Sequence, residues 1–208
     1  MVERFDFTDG EMSKEKLPDS PQKLFEIWIE NAKGNKVAEY NAMVLSTLGM
    51  NDRISSRIVY VRGITEDGII FFTNYLSRKG VEALEHDYVS VNFFWRELEQ
   101  QIRIEGRIQK VDESVSDEYF NNRPRKSQIG AWASNQSEDI PNRDHLENRV
   151  VELERKYEGK DVPRPPHWGG YIIVPDYYEF WQGRASRLHD RLVYSLTENG
   201  WNLKRIAP

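Results

Sequence analysis

Two β-rich runs separated by a turn occupy residues 57–73, which read RIVYVRGITEDGIIFFT. Branched and aromatic side chains dominate both runs, and Asp67-Gly68 is typical of a tight turn between antiparallel strands. Further runs of this kind lie at 42–47, 89–95, 101–111, 171–174, 178–182, 191–196 and 201–206. Their spacing predicts an antiparallel sheet or barrel with strands from both halves of the chain.

Helical patterns lie before the first strand and between the two groups of strands. Ser20 and Pro21 suit the N-cap and the first position of a helix, and apolar residues within 24–32 recur at helical spacing until Gly34. A second helical region covers residues 114–157. Helices therefore interrupt the strands, which indicates an α+β fold.

Composition indicates the class of protein and its domain organisation. A chain of 208 residues with 38% hydrophobic and 12% aromatic residues is sufficient for a packed core. Residues 20–208 are predicted to form a single domain, whereas the charged residues 1–19 are predicted to be a mobile arm. The absence of cysteine, of a signal-peptide core and of an apolar run near ~20 residues favours a cytoplasmic protein without a membrane span.

Several function classes are disfavoured by charge and by missing motifs. A formal net charge of -5 argues against nonspecific binding to nucleic acid, which needs a basic face. The four histidines lack metal-ligand spacing, and the chain has no phosphate loop, no Gly-x-Gly-x-x-Gly motif and no Gly-x-Ser-x-Gly turn. Any anion site in this chain must therefore be local.

Residues 181–191, WQGRASRLHDR, hold the densest cluster of chemically active side chains. If this segment is extended, the two-residue period of a strand turns Arg187, His189 and Arg191 to one face. Two fixed cations around an imidazole suit a small anionic ligand that undergoes proton or hydride chemistry. The alternative is a solvated edge strand with scattered charges. Trp181 joins the candidates because it stands beside this face.

Two other clusters have the residues of an anion site. Arg57 and Arg62 stand at the ends of one predicted strand and on opposite faces, so a single site needs a bulge or twist to use both. Ser77, Arg78 and Lys79 open a predicted helix, where free backbone amides and the helix dipole attract phosphate. Ordinary strand arginines and a solvated helix start are the alternatives.

Tyr119, Arg123 and Ser127 recur every four residues and offer the groups that bind a phosphate monoester. Pro124 favours a bend or a new helix start among them, and a surface turn is the alternative. Gln101 lies on a predicted strand, where glutamine is more often a surface residue than a ligand.

Eight blocks of residues, in consistent order between residues 17 and 208, resemble the pyridoxamine 5'-phosphate oxidase family. The blocks are 41–46, 57–61, 71–79, 123–130, 168–171, 179–183, 187–191 and 205–208. Several blocks in the right order are more specific than any single motif. The resemblance implies an FMN-binding split β-barrel with peripheral helices, as a homodimer with two FMN molecules in clefts at the subunit interface.

The resemblance also implies two sets of contacts, residue by residue. The implied FMN contacts are Arg57, Ile58, Val59, Tyr60, Val61, Arg62, Phe72, Thr73, Arg78, Lys79, Gln101, Gln136, Ser137, Trp181 and Arg191. The implied substrate contacts are Arg62, Tyr119, Arg123, Ser127, Arg187, Leu188 and His189. Among these, Arg187 and His189 are the implied catalytic residues.

The implied activity is oxidation of pyridoxamine 5'-phosphate or pyridoxine 5'-phosphate to pyridoxal 5'-phosphate, with hydride transfer to FMN, O2 as acceptor and H2O2 as product. Arg62 stands where the family usually has lysine, and Arg4 and Phe7 loosely match a family segment that folds over the substrate. Two alternatives remain, a flavin oxidase acting on another small molecule such as a phenazine precursor, and a carrier of flavin or pyridoxal phosphate without enzymatic activity.

Overall fold

The computed structural model describes residue 12 and residues 17–18, 20–49 and 51–208. The predicted arm, residues 1–19, lies outside the described residues except for positions 12, 17 and 18, and Arg4 and Phe7 lie outside them too. The helices in the described part are α1 (Pro21–Gly34), α2 (Arg78–Glu85), α3 (Glu113–Asn121), α4 (Arg125–Ala133) and α5 (Arg143–Lys156). The strands there are β1 (Ala42–Leu48), β2 (Ile54–Tyr60), β3 (Gly63–Thr65), β4 (Gly68–Asn74), β5 (Tyr88–Trp95), β6 (Gln100–Lys110), β7 (Trp168–Gln182), β8 (Asp190–Thr197) and β9 (Gly200–Ile206).

These strands form one antiparallel sheet that branches at β7. The order is β2-β1-β5-β6-β7-β4-β3, and β8 leaves this path because it pairs with the second part of β7 and with β9. Only Val61 and Arg62 separate β2 from β3 along the chain, although these strands stand at opposite ends of the sheet order. The sheet must therefore curl, and the predicted α+β fold with an antiparallel sheet or barrel is confirmed.

Helix α1 covers the sheet core as the sequence predicts. The Ser20 hydroxyl accepts a hydrogen bond from the Lys23 amide at 3.4 Å, so Ser20 is the N-cap, and the helix ends at Gly34. The fully buried ring of Phe25 lies 5.4 Å from that of Phe93 in the sheet. The predicted apolar stripe is thus the face that the helix buries.

Strand β7 corrects one prediction, since the sequence indicates two strands, 171–174 and 178–182, where the structure has one. Pro175 lacks a backbone donor, but the register with β6 shifts between Glu105 and Gly106, and this bulge accommodates it. A Cβ on Gly106 would lie 2.2 Å from the Val174 carbonyl oxygen, so glycine is required there. Because β7 continues through the bulge, one strand connects both halves of the sheet.

The second helical region contains α3, α4 and α5, and Pro124 is the N-cap of α4, as the predicted new helix start requires. These helices form a separate apolar cluster with β7, which includes Phe120, Ile129, Tyr157, Val162 and Trp168. In the part of the chain that the structure describes, every helix is too short or too polar to cross a bilayer.

Candidate functional site

A cavity of about 730 Å³ opens beside β2, between β4, the start of α2 and the junction of α3 with α4. It brings together many of the predicted cofactor and substrate residues from distant parts of the sequence. Those in its wall are Arg57, Ile58, Val59, Tyr60, Arg62, Phe72, Thr73, Arg78, Lys79, Tyr119, Arg123, Ser127, Gln136 and Ser137. Ser55, Ser56 and Trp168 also line it, although the sequence did not indicate them as site residues.

The wall of the cavity is strongly basic. It contains Arg57, Arg62, Arg78, Lys79 and Arg123, and its described lining residues include no aspartate or glutamate. This charge is local, because the whole chain has a formal net charge of -5. A concave surface with one sign of charge concentrates ions of the other sign, so the cavity has the electrostatics of an anion site.

Arg57 and Arg62 reach the same cavity because they do not share a strand. β2 ends at Tyr60, and the Arg62 amide donates to the Ile70 carbonyl at 2.8 Å, as part of the next hairpin. The predicted strand to Arg62, with the two arginines on opposite faces, is therefore wrong at its end. The guanidinium of Arg62 lies 5.2 Å above the Tyr60 ring, which directs it along the cavity wall.

The cations of the wall fall into two groups, and the first consists of Arg57, Arg78 and Lys79. A buried carboxylate organises this first group. Glu82 accepts hydrogen bonds from Arg78 Nε at 2.7 Å and from Arg57 Nη2 at 3.2 Å, and from the hydroxyls of Thr47 at 2.5 Å and Ser55 at 2.7 Å. Burial raises the pKa of this carboxyl, but the hydrogen bonds from Ser55, Thr47 and Arg78 outweigh burial and lower the pKa to about 2. Glu82 is therefore ionised near neutral pH.

Lys79 belongs to the same group, and its hydrogen-bond partners among the described residues are neutral. Its Nζ donates to the Thr73 hydroxyl at 3.2 Å, the Ser77 hydroxyl at 3.1 Å and the Gln136 side-chain oxygen at 3.2 Å. Burial, and then the charge of Arg57, lower the pKa of Lys79 to about 8. An anion bound beside this amine would stabilise its protonated form.

The second group consists of Arg62 and Arg123, and the hydroxyls of Tyr119 and Ser127 accompany it at the junction of α3 and α4. Arg123 stacks 4.4 Å above the Trp168 ring, and the Tyr119 ring is parallel to that of Phe72 at 3.8 Å. Arg123 Nη1 is buried without a hydrogen-bond partner among the described residues, and burial lowers the pKa of this guanidinium. A buried donor without an acceptor is costly, so this atom is ready to bind an anion or another acceptor in the cavity.

Other predicted residues lie away from this cavity. Gln101, Trp181 and Arg191 are register partners across β6, β7 and β8. Arg191 donates to Glu179 Oε1 at 2.8 Å and to the Ala207 carbonyl at 3.0 Å. Val61 does not line the cavity because it is buried in the core. The predicted catalytic residues 187–189 lie in the loop after β7 and are also absent from the cavity wall.

The segment 187–189 is not extended, and the prediction of one strand face shared by Arg187, His189 and Arg191 is wrong. Gln182 and Asp190 pair directly, so the seven residues between them must form a loop. Within it Ser186 has φ 58° and Arg187 has φ 59°, both in the left-handed region. Arg187 and Leu188 are exposed at the loop tip, whereas His189 Nδ1 accepts a hydrogen bond from the Arg184 amide at 3.1 Å.

Sequence reasoning did not identify Glu82 or Trp168 as parts of the site. Glu82 stands four residues after Arg78 in α2, a spacing that indicates an ion pair on one helix face. Trp168 had no comparable signal, because a tryptophan at the start of a strand is usually a core residue.

Comparison with known proteins agrees with this architecture. Residues 32–157 match the family model described as pyridoxamine 5'-phosphate oxidase, and residues 168–208 match the pyridoxine 5'-phosphate oxidase C-terminal dimerisation region. The chain belongs to the pyridoxamine 5'-phosphate oxidase family. The resemblance noted in the sequence is thus confirmed, and so is the oxidoreductase class.

Relatives in the pyridoxamine 5'-phosphate oxidase family align over nearly the whole chain. The pyridoxine/pyridoxamine 5'-phosphate oxidase of Burkholderia multivorans is 47% identical over 99% of this chain and 97% of its own length. The pyridoxine/pyridoxamine 5'-phosphate oxidase of Acaryochloris marina is 45% identical over 99% of this chain and 94% of its own length. Among solved structures, PhzG from Burkholderia lata, in complex with tetrahydrophenazine-1-carboxylic acid, is 34% identical with a TM-score of 0.91 over 97% of this chain and 99% of its own. The predicted split β-barrel is confirmed by these similarities.

The lowered pKa of Lys79 predicts unusual reactivity. Only the neutral amine is nucleophilic, so we expect acetylation of Lys79 to reach half its maximal rate near pH 8. Mass spectrometry of the acetylated peptide over a pH series measures this midpoint. Inorganic phosphate should move it to higher pH, because the anion favours the protonated form. A midpoint near the ordinary value of 10.5 would contradict the assignment.

Proposed function

We propose that this chain is an FMN-dependent oxidase that converts pyridoxamine 5'-phosphate or pyridoxine 5'-phosphate to pyridoxal 5'-phosphate, with O2 as acceptor and H2O2 as product. The supporting observation is one cavity with two groups of cations and no carboxylate in its described wall. Each group has the donors for one phosphate monoester. The volume, about 730 Å³, is typical of cofactor and small-molecule sites.

The first group fits the phosphate of FMN. Arg57, Arg78 and Lys79 would hold that phosphate, with Ser137, whose hydroxyl accepts from the Arg78 amide at 3.1 Å, at the same helix start. The backbone of 58–60 and the side chains of Phe72, Thr73 and Gln136 would contact the rest of the cofactor. When bound, FMN supplies the two-electron acceptor that no side chain of the chain provides.

The second group fits the phosphate of the substrate. Arg62 makes no ion pair with the residues that the structure describes, and Arg123 has the unpartnered Nη1. With the hydroxyls of Tyr119 and Ser127 they offer two charges and two neutral donors to a phosphate monoester. Binding there would remove the cost of the buried unpaired donor, which supports a phosphorylated substrate over an uncharged one.

A homodimer would complete the site. Gln101, Trp181, Arg191 and the loop 187–189 do not line the cavity of their own protomer. All of them except Gln101 belong to the region that matches the dimerisation model. The outer face of β1, β2 and β5 exposes Val44, Ile58 and Phe94, with 37%, 59% and 53% of their surfaces accessible. An apolar sheet face next to the cavity suits a second copy of the chain, which would bring its own loop over the first cavity.

In this arrangement the chain's own residues orient the substrate and control its proton. Arg187, at the exposed loop tip, would orient the substrate and assist proton removal from the reacting group. His189 packs against Trp181, with 4.6 Å between ring centres. Because His189 Nδ1 accepts from the Arg184 amide, the neutral ring carries its proton on Nε2, which would be the atom presented to the substrate.

A second candidate function is oxidation of another small molecule by the same barrel. It is favoured by one observation, the TM-score of 0.91 to PhzG, whose structure contains tetrahydrophenazine-1-carboxylic acid. The Arg62, Tyr119, Arg123 and Ser127 cluster supports a phosphate ester instead. A flavin or pyridoxal phosphate carrier is the third candidate, and it differs from both by lacking turnover.

The activity itself separates these candidates. We expect the purified protein to bind FMN with a yellow flavin spectrum, and to consume O2 and release H2O2 when pyridoxine 5'-phosphate or pyridoxamine 5'-phosphate is added. An oxygen electrode and a peroxide assay measure this. Faster turnover of tetrahydrophenazine-1-carboxylic acid would favour the second candidate, and binding without O2 uptake would favour the carrier.

Replacing the loop-tip arginine tests its assigned role. We expect Arg187→Ala to retain bound FMN but to lower kcat by about 100-fold or more, because positioning and proton transfer contribute on that order. Stopped-flow reduction of the flavin measures the loss. Ala185→Ser, an exposed change in the same loop, is the matched control and should keep turnover near that of the original protein. Unchanged turnover of Arg187→Ala with saturating substrate would refute the assignment.

A further inference from the structure

Glu82 occupies an unusual position behind the cavity. Its side chain is 7% exposed and it does not line the cavity wall, yet both of its oxygens face cations that do. Oε1 accepts from Arg78 Nε at 2.7 Å, and Oε2 accepts from Arg57 Nη2 at 3.2 Å. The two arginines come from different elements, β2 and α2, so this carboxylate is the link that joins them.

We propose that Glu82 is a positioning residue that holds Arg57 and Arg78 in the geometry required by a phosphate monoester. This inference rests on the proposed function, since it assigns the phosphate of FMN to these two arginines. Glu82 itself would not touch the cofactor. It would act through the guanidiniums, which keep further donors for the ligand after binding the carboxylate.

The arrangement of hydrogen bonds around Glu82 supports this role. Thr47 Oγ1 donates to Glu82 Oε2 at 2.5 Å and accepts from Arg57 Nη1 at 2.6 Å, while Arg57 also donates to the Leu45 carbonyl at 3.2 Å and to the Ser55 hydroxyl. These partners fix the Arg57 guanidinium from behind in several directions. A side chain fixed in this way loses little conformational entropy when the phosphate binds.

Charge balance gives Glu82 a second effect. Arg57, Arg78 and Lys79 carry three positive charges when protonated, and Glu82 reduces their sum to two, which matches a phosphate monoester near neutral pH. Without the carboxylate, Arg57 and Arg78 would repel each other with no compensating group between them. Burial is the largest cause that lowers the pKa of Arg57. Glu82 raises this pKa, and the charge of Arg78 lowers it. Loss of Glu82 should therefore separate the two guanidiniums.

The test compares FMN with riboflavin, which has the same ring and ribityl chain but no phosphate. We expect the apoprotein of Glu82→Gln to bind FMN about 10-fold to 100-fold more weakly than the original protein, the range for charge-assisted hydrogen bonds. Riboflavin affinity should change by less than about 2-fold, because its contacts do not involve the two arginines. Quenching of flavin fluorescence measures both dissociation constants.

Two further variants control the experiment. Glu85→Gln makes the same charge change one turn later in α2 at an exposed position, and should leave both affinities unchanged. Thr47→Val removes the hydroxyl that bridges Glu82 and Arg57 and preserves side-chain volume. It should weaken FMN binding by about 3-fold to 10-fold without affecting riboflavin, since the two hydrogen bonds of this hydroxyl are lost while the direct contact of Glu82 with Arg57 remains. It also answers the question if Glu82→Gln does not fold.

Each result has one meaning. Equal losses of FMN and riboflavin affinity would show that Glu82 only maintains local structure, and unchanged or tighter FMN binding would show that the arginines do not need it. Either result overturns the inference. If the original protein itself binds FMN no more tightly than riboflavin, the assignment of these cations to a flavin phosphate fails, and with it this part of the proposed function.

Discussion

The pairing of buried carboxylates with arginines is the interaction on which the rest of the site depends. Two like unit charges about 4 Å apart in a partly buried site repel each other by about 4 kcal/mol, so cations held close together are stabilised by a compensating charge. Glu82 compensates Arg57 and Arg78 from behind, where it leaves the cavity free for a ligand. Arg123 is held differently, by stacking on the Trp168 ring. No carboxylate is among the described partners of Arg123.

The same device occurs in the part of the chain that lies away from the cavity. Glu179 is 2% exposed and pairs with Arg103 and Arg191, which come from β6 and β8 on either side of β7. Arg191 also binds the Ala207 carbonyl, so this network fixes the end of the chain beside the loop that carries Arg187. A buried carboxylate that joins two elements thus stands behind the cavity, at Glu82, and beside the cluster of Gln101, Trp181 and Arg191, at Glu179. A partner protomer would bring this cluster to the cavity of the first chain.

Much of the fold follows from local sequence. Ser20, Pro21 and the apolar spacing after them are sufficient to predict α1, because a cap and a buried stripe act within one helix. The turn that Asp67-Gly68 predicts is local in the same sense, although its two residues are Glu66 and Asp67 because Thr65 pairs with Gly68. The helix that opens at Ser77 is local too. Pairing is not local, and the single strand β7 escaped prediction because the bulge that accommodates Pro175 depends on Gly106, far away in the chain.

The site was predictable in composition but not in shape. Residue types alone indicated anion-binding groups at Arg57, Lys79 and Arg123, since few side chains suit phosphate. The alternation rule failed at Arg62 because β2 ends two residues earlier, and it failed at Arg187 because the pairing of β7 with β8 forces a loop there. Glu82 was missed because a carboxylate beside cations resembles an ordinary helix ion pair until its burial is known.

If the cation cavity of one protomer and the Arg187 loop of the other form one active site, two chains that each lack one part of that site should complement each other. Arg123→Ala and Arg187→Ala chains, each inactive alone, are coexpressed with different affinity tags, and the mixed dimer is isolated. In a shared site both changes meet in one cavity and leave the other intact, so the mixed dimer should regain about half of the original turnover. A mixed dimer as inactive as its parents would show that each site lies within one chain and would contradict a site shared between protomers.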